Sequence, residues 1–204
     1  MGAFTKGARK GLTIVLSVLT CVMLGPAQNF PAALAHSGLP SPRGVLLSPL
    51  FQLKTHEGSP LIRADLRGRP FLVVFGFTDC PSICPTALLD LTNLLADLGP
   101  AGDRLKVLFV SVDPERDTPD QLRRFLASFD PRIIGLTGET VDTAAVAHAF
   151  NAVYEKVYDR NGNYTVDHST KLYLLDRYGL LAAAIEPGAD GVVREGLIRR
   201  VLRQ

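Results

Sequence analysis

The stretch Phe71-Leu72-Val73-Val74-Phe75-Gly76-Phe77-Thr78-Asp79-Cys80-Pro81-Ser82-Ile83-Cys84-Pro85 decides how the chain is read. It opens on an unbroken apolar run, the pattern of a strand buried on both faces of a sheet. Gly76 and the polar pair Thr78-Asp79 interrupt that run, and Cys80 and Cys84 follow, each immediately before a proline. Beyond Pro85, Leu88, Leu91, Leu95 and Leu98 recur at the spacing of one helical face. The cysteines are therefore expected where a central strand gives way to a helix. Unpaired N–H groups and the positive end of the helix dipole favour thiolate at such a place. A cysteine there is a better nucleophile and a better metal ligand than average.

Working outward, Phe51 to Lys54 and the turn Thr55-His56-Glu57-Gly58 predict a first strand before the central one. After the helix, over about 84–98, Gly99-Pro100-Ala101-Gly102 breaks the chain and Leu105 to Val112 predicts a second buried strand. Thr118-Pro119-Asp120 is a helix start with proline in the first turn. That helix presents Leu122, Phe125, Leu126 and Phe129 on one side. Ile133 to Leu136 is another short strand, and Thr140 begins a helix whose apolar positions Val141, Ala145, Ala149 and Val153 keep a four-residue step. Hairpin patterns come next: Val153 to Tyr158, a turn at Asn161-Gly162, and Lys171 to Asp176 read as extended. Arg177-Tyr178-Gly179 turns the chain into Leu180 to Ile185. A closing helix over Asp190 to Gln204 has Val193, Leu197 and Val201 inward and Arg199, Arg200 and Arg203 on a solvated face. This order predicts an α/β domain with a thioredoxin-like sheet, a strand–helix insertion in its middle and an extra β-hairpin. Open sheets of this kind carry their chemistry beyond the carboxyl ends of the strands, where Cys80 lies.

The first residues read differently from the rest. Lys6, Arg9 and Lys10 precede an uncharged apolar run from Leu12 to Leu24, and Ala33-Leu34-Ala35 is an A-x-A processing pattern. The run is short against the roughly twenty residues that span a bilayer. Residues 1–35 are accordingly expected to be a signal peptide or an N-terminal membrane anchor, residues 36–50 a linker and residues 51–204 the domain. Cys21, in Val18-Leu19-Thr20-Cys21, stands in a poor context for lipidation. Export to the periplasm, or to the periplasmic face of the inner membrane, is the expectation, which the compact apolar run favours over the alternative of a mitochondrial address. The whole chain has 22 Lys+Arg against 20 Asp+Glu, and without residues 1–35 the balance is 19 against 20. A body this close to neutral offers no electrostatic footprint for nucleic acid.

The spacing of the cysteines separates two chemistries. A C-x-x-C pair at a helix start suits rapid disulfide exchange. In C-x-x-x-C the two sulfurs are expected one turn apart on a single helical face, where both can point at one soft cation, Cu(I) or alternatively Zn(II). A third ligand must then come from elsewhere. Of the four histidines, His36 lies in the linker, His56 in an outer turn and His148 within a helix. His168 stands in a loop just before the buried strand Leu172 to Leu175, a loop that faces the cysteines in a thioredoxin-like sheet. In thioredoxins that place belongs to a cis-proline, and this chain has no proline between Pro131 and Pro187.

With these residues in view, the chain resembles the Sco/SenC family of copper chaperones for cytochrome c oxidase assembly. The matching residues are Gly76-Phe77-Thr78, Cys80 through Thr86, Ser111 through Pro119, and Tyr164 through Ser169, and the likeness covers about residues 43–203. It departs at Ala182-Ala183-Ala184, where the family often carries an aromatic residue, a difference that bears on partner contacts. The resemblance implies copper, as Cu(I) or Cu(II), held by Cys80, Cys84 and His168. It implies transfer to the CuA site in the copper-accepting subunit of the oxidase, and a reductant role toward that site's cysteines. An upstream copper donor or thiol reductant is implied as a further partner.

Other readings of the same residues stay open at this stage. Cys80 and Cys84 could form a disulfide, redox-active or structural, although so short a loop stabilises little. His168 could be a loop histidine bonded to its neighbours. Asp167 is a candidate to orient the imidazole, or a solvated turn residue. Asp113 and Asp117 read as turn and cap residues. His36 would become an N-terminal Cu(II) ligand if processing followed Ala35. His56 and His148 read as surface or packing residues. The competing class of function is an exported thiol–disulfide oxidoreductase or peroxidase on the same fold; a chaperone, by contrast, is not an enzyme with turnover.

Overall fold

The computed structural model describes residues 47–204. The expected leader at 1–35, Cys21 and His36 lie outside the described residues. The strand predicted from the central apolar run is β2 (Phe71–Gly76), and all six of its residues are buried. It pairs in parallel with β3 (Lys106–Ser111) on one side and antiparallel with β7 (Leu172–Leu175) on the other. A strand flanked on both edges and covered on both faces meets no water, hence the absence of polar alternation. The full sheet is ordered β1-β4-β3-β2-β7-β8, with β1 at Lys54–Thr55, β4 at Ile133–Thr137 and β8 at Leu181–Ile185.

Helices complete the layers. α1 (Arg63–Leu66) is a single turn before β2, and α2 (Ile83–Asp97) follows it, burying Leu88, Leu91 and Leu95 against the sheet. α3 (Pro119–Leu126) starts where expected, with the Thr118 hydroxyl accepting from the Gln121 N–H. α4 is Thr140–Ala149, the helix of the inserted strand–helix unit, and α5 is Gly191–Leu202. The arrangement is the expected α/β, thioredoxin-like one.

Several local expectations need correcting. The segment before Lys54 is a 3-10 turn, Pro49–Gln52, rather than a strand. Proline has no N–H to give a ladder, and Leu50 and Leu53 drop into the core instead. The core also takes in Leu47, within the stretch read as linker. In α4 the inward side is Thr143, Val146 and Ala147, whereas Val141 is 74% exposed. In α5 Val193 is exposed, and Ile198, Val201 and Leu202 face inward. A four-residue step drifts around a helix of 3.6 residues per turn, so it follows the core for only a turn or two. The hairpin is formed by β5 (Tyr154–Tyr158) and β6 (Tyr164–His168), a two-stranded sheet of its own. Its turn is built on Asp159, whose carboxylate accepts from the N–H groups of Asn161 and Asn163, with Gly162 at φ +84°. His168 therefore ends a strand instead of sitting in a loop.

Phe75, Phe150 and Tyr173 close the core between β2, β7 and the end of α4 as three mutually edge-on rings with centroids 5.3–5.9 Å apart. Phe75→Ala is expected to cost about 3–5 kcal/mol of unfolding free energy in urea denaturation. Val141→Ala, on the exposed side of α4, is expected to stay within about 0.5 kcal/mol of the parent.

Candidate metal centre

β2 ends at Gly76, and α2 begins only at Ile83. Cys80 thus lies in the connecting loop, and only Cys84 is helical. The expectation of two sulfurs stacked on one helical face is corrected: the loop folds back and sets Cys80 over the helix start. The Cys84 N–H, in the first turn of α2, donates to the Cys80 sulfur at 3.3 Å. One of the unpaired amides of the helix end is thereby satisfied by a sulfur. Both cysteines are free thiols and buried.

Glycine at position 76 is required by this geometry. A methyl group there would stand 2.5 Å from Phe109 Cε2 and 3.0 Å from the Cys84 sulfur. The strand can approach the helix closely enough to bury Cys84 only because nothing projects from Gly76.

His168 arrives from the hairpin. Its Nε2 lies 3.5 Å from Cys84 Sγ, and its Nδ1 lies 2.9 Å from the Ser169 carbonyl oxygen. A carbonyl only accepts, so Nδ1 carries the proton and Nε2 presents its lone pair to the sulfurs. Ser169 is itself fixed to Val153, its N–H donating to the Val153 carbonyl and its hydroxyl accepting from the Val153 N–H. The Phe77 ring meets the imidazole edge-on at 5.7 Å. Asp167 does not orient the ring. Alternation along β6 turns its side chain to solvent, opposite Glu155, and the backbone oxygen of Ser169 does that work.

One ligand atom from each of Cys80, Cys84 and His168 lies within 4.8 Å of the others. A cavity of about 10 Å3 opens against Cys84 and His168, the lower limit of room for one water or an ion of that size. His56 and His148 take no part: His56 accepts from the Gly135 N–H through Nδ1, and His148 is exposed.

Two carboxylates missed as site residues lie directly beneath. Asp117 is fully buried and accepts from the Thr78 N–H, the Thr78 hydroxyl at 2.7 Å and the Ser111 hydroxyl at 2.6 Å. It fastens the loop that carries Cys80 to the end of β3. Burial raises its pKa above the ordinary carboxylate value, and the three donors oppose that shift. Asp113, also fully buried, accepts from the Tyr164 hydroxyl at 2.8 Å and from Arg116. Arg116 reaches on to Asp79 and to the Tyr164 carbonyl, and stacks on the Tyr164 ring at 3.9 Å. The hairpin that bears His168 is thus latched to the loop that bears Cys80. Asp-Pro and Asp-Thr-Pro look like turn and cap sequences, and nothing local distinguishes them from carboxylates needed beneath a distant loop.

The thiolate expected from the helix N-terminus is not present at Cys84. Burial, helped by the hydrogen bond with Cys80, pushes its pKa from the ordinary 9.0 up to about 12. Desolvation penalises the charged form by more than the helix end repays.

With the geometry established, comparison with known proteins places the chain. The SCO1/SenC family model matches residues 41–202. The chain belongs to the SCO1/SenC family. It is 39% identical over 133 residues to the human mitochondrial SCO2 homolog, a match covering 64% of this chain and 50% of that one. Among solved structures, Bradyrhizobium japonicum ScoI with copper bound is 35% identical with a TM-score of 0.68, covering 74% of this chain and 96% of that one. Yeast Sco1 with copper bound is 30% identical at the same TM-score, covering 76% and 87% respectively. The chain spans about half the length of the human relative. Members of this family thus occur in mitochondria and in bacteria.

Asp117→Ala, which strands three donors, is expected to lower stability by about 2–4 kcal/mol, and Asp117→Asn by less, as read by urea unfolding. Alkylation of the metal-free protein, followed at Cys84 by mass spectrometry, is expected to keep accelerating as pH rises past 9.0 toward about 12. A rate that is half-maximal near pH 9.0 and levels off just above it would show that the buried thiol ionises like a free one.

Proposed function

We propose that this SCO1/SenC protein is a copper metallochaperone. The cargo is bound by Cys80 Sγ, Cys84 Sγ and His168 Nε2 and handed to the copper-accepting subunit of cytochrome c oxidase, at its CuA site. The observation that carries this reading is the convergence of those three atoms within 4.8 Å. Ligand atoms about 2.2 Å from a shared ion in a trigonal plane stand roughly 3.8 Å apart. A closure of about an ångström completes the site, and the Cys84–His168 edge, at 3.5 Å, is already short enough. Two thiolates and an imidazole favour copper, above all Cu(I), over harder cations. Copper-bound members of the same family support the choice of metal.

The chain's own part in loading is to surrender protons and hold a shape. Cys84 is protonated when empty, so uptake displaces its proton, and the Nδ1–H bond to Ser169 keeps Nε2 free to ligate. Three ligands leave the cation short of a closed shell, so ligands of a partner can enter before these leave. Ile83 and Val153, 60% and 73% exposed, flank Cys84 and the His168–Ser169 segment as apolar footholds for such a partner. Oxidation joins Cys80 Sγ to Cys84 Sγ with loss of two protons and two electrons. It withdraws both sulfur ligands, so a thiol reductant must act before loading. An upstream donor supplies the copper. On this reading residues 1–35 export or anchor the chain in the inner membrane, and the linker that follows joins it to a domain whose core begins at Leu47, on the periplasmic side.

Cys80→Ala, Cys84→Ala and His168→Ala are each expected to lose stoichiometric copper from the reduced protein, measured by metal analysis after gel filtration. Full copper retention by His168→Ala would remove the third ligand from the proposal. Insulin reduction or peroxide consumption with steady turnover, insensitive to His168→Ala, would replace the chaperone with an exported thiol–disulfide oxidoreductase.

A further inference from the structure

A second concavity, of about 470 Å3, lies at the other end of β2 from the cysteines. It forms where the 3-10 turn Pro49–Gln52, α1, the start of β2 and the β7–β8 turn meet. A strand rises about 3.3 Å per residue, so Phe71 stands roughly 17 Å from Gly76, and the metal chemistry makes no use of this end. The floor is apolar and buried: Leu47, Leu66 and Phe71. The rim carries three exposed arginines, Arg63, Arg67 and Arg177, and among the described residues no acidic one lines the space. Its size falls within the roughly 300–1,000 Å3 typical of small-molecule sites, which also pair apolar walls with a few polar groups.

The arginines are uncompensated. None of the three is in an ion pair among the described residues. The acids nearest in sequence are turned to backbone instead. Asp65 accepts from the Ile62 N–H, and Asp176 from the N–H groups of Tyr178 and Leu180. Two of the guanidiniums are held in place by aromatic rings, Arg63 over Phe51 at 4.9 Å and Arg177 over Tyr178 at 4.8 Å. Stacking of this kind fixes a guanidinium plane without using up its charge. Gly179, at φ +79°, brings the β7–β8 turn against Leu47, where a Cβ would come within 2.2 Å of Leu47 Cδ1. The wall is therefore closed by packing.

We propose that this pocket binds a single-chain amphiphilic anion, a long-chain carboxylate. Its tail lies on Leu47, Leu66 and Phe71, and its head group meets Arg63, Arg67 and Arg177. Apolar burial supplies the attraction for the tail, and guanidinium–carboxylate bonds supply the selection for charge. The site is concave, so it admits the end of one chain, whereas a flat bilayer surface cannot follow its floor.

The test uses the full 204-residue chain and dansylated undecanoate below its micelle concentration. Saturable one-site fluorescence enhancement is expected. Ala64→Trp, which places a large ring in the mouth from an exposed position on α1, should abolish it with the melting midpoint unchanged. The triple variant Arg63→Gln, Arg67→Gln, Arg177→Gln should bind about tenfold more weakly, and so should the methyl ester of the probe with the parent protein; tenfold is about 1.4 kcal/mol. The ester comparison does not depend on any variant folding. Absence of saturable binding, undiminished binding by Ala64→Trp, or equal affinity for acid and ester would each overturn the proposal. So would co-sedimentation with phosphatidylglycerol vesicles in the absence of monomer binding, which would assign this face to a membrane surface.

Discussion

A buried carboxylate that no cation neutralises among the described residues governs the architecture of the metal centre. Asp117 lies beneath the loop between β2 and α2, and its charge is held by hydroxyls and one backbone N–H alone. Such burial is costly unless every lone pair is used. The reward is geometric. Thr78 and Ser111 are fixed to one point, so the ends of two parallel strands and the loop that starts at Phe77 move as one body. Cys80 takes its position from that body, and its sulfur is met by the Cys84 N–H at the helix start.

Around this strut the site is assembled from three separate pieces of chain. The loop brings Cys80, the first turn of α2 brings Cys84, and a hairpin outside the main sheet brings His168. The Asp113–Arg116–Tyr164 contacts join the hairpin to the loop at one end of β6, and the Ser169–Val153 pair fixes its other end. Neither latch touches the ligand atoms. Both reduce the freedom of the elements that carry them, which is how a site with few ligands stays assembled.

The same burial shapes the chemistry. A cysteine at a helix start is usually made reactive by the amides around it. Here Cys84 is buried so far that desolvation, helped by Cys80, prevails and the empty site holds a neutral thiol. A soft cation reverses this by supplying the positive charge that the protein withholds. A Cys84 thiol kept protonated until metal arrives suits a ligand better than it suits an attacking sulfur, which must be a thiolate at working pH.

Much of this was legible in the chain itself. An apolar run with no alternation can only be a strand covered on both faces, and Leu88, Leu91 and Leu95 can only be one side of a helix, so the strand–loop–helix carrying Cys80 and Cys84 followed from local periodicity. His168 was legible by its place before the buried strand Leu172–Leu175, together with the lack of a proline there. Other features were beyond local reading. The strand at Tyr164–His168 pairs outside the main sheet, so its burial pattern is weak, and Asp167 faces outward by alternation that appears only once that strand exists. Asp113 and Asp117 look like turn residues because the groups that satisfy them, Tyr164 and Thr78, are 51 and 39 positions away. The inward sides of α4 and α5 depended on where neighbouring elements lay. Residue order determined which elements form and which side chains are candidates for the chemistry. Only tertiary structure decided which buried charges are satisfied and whether a thiol ionises, because desolvation and hydrogen bonding depend on atoms brought close by the fold rather than by the chain.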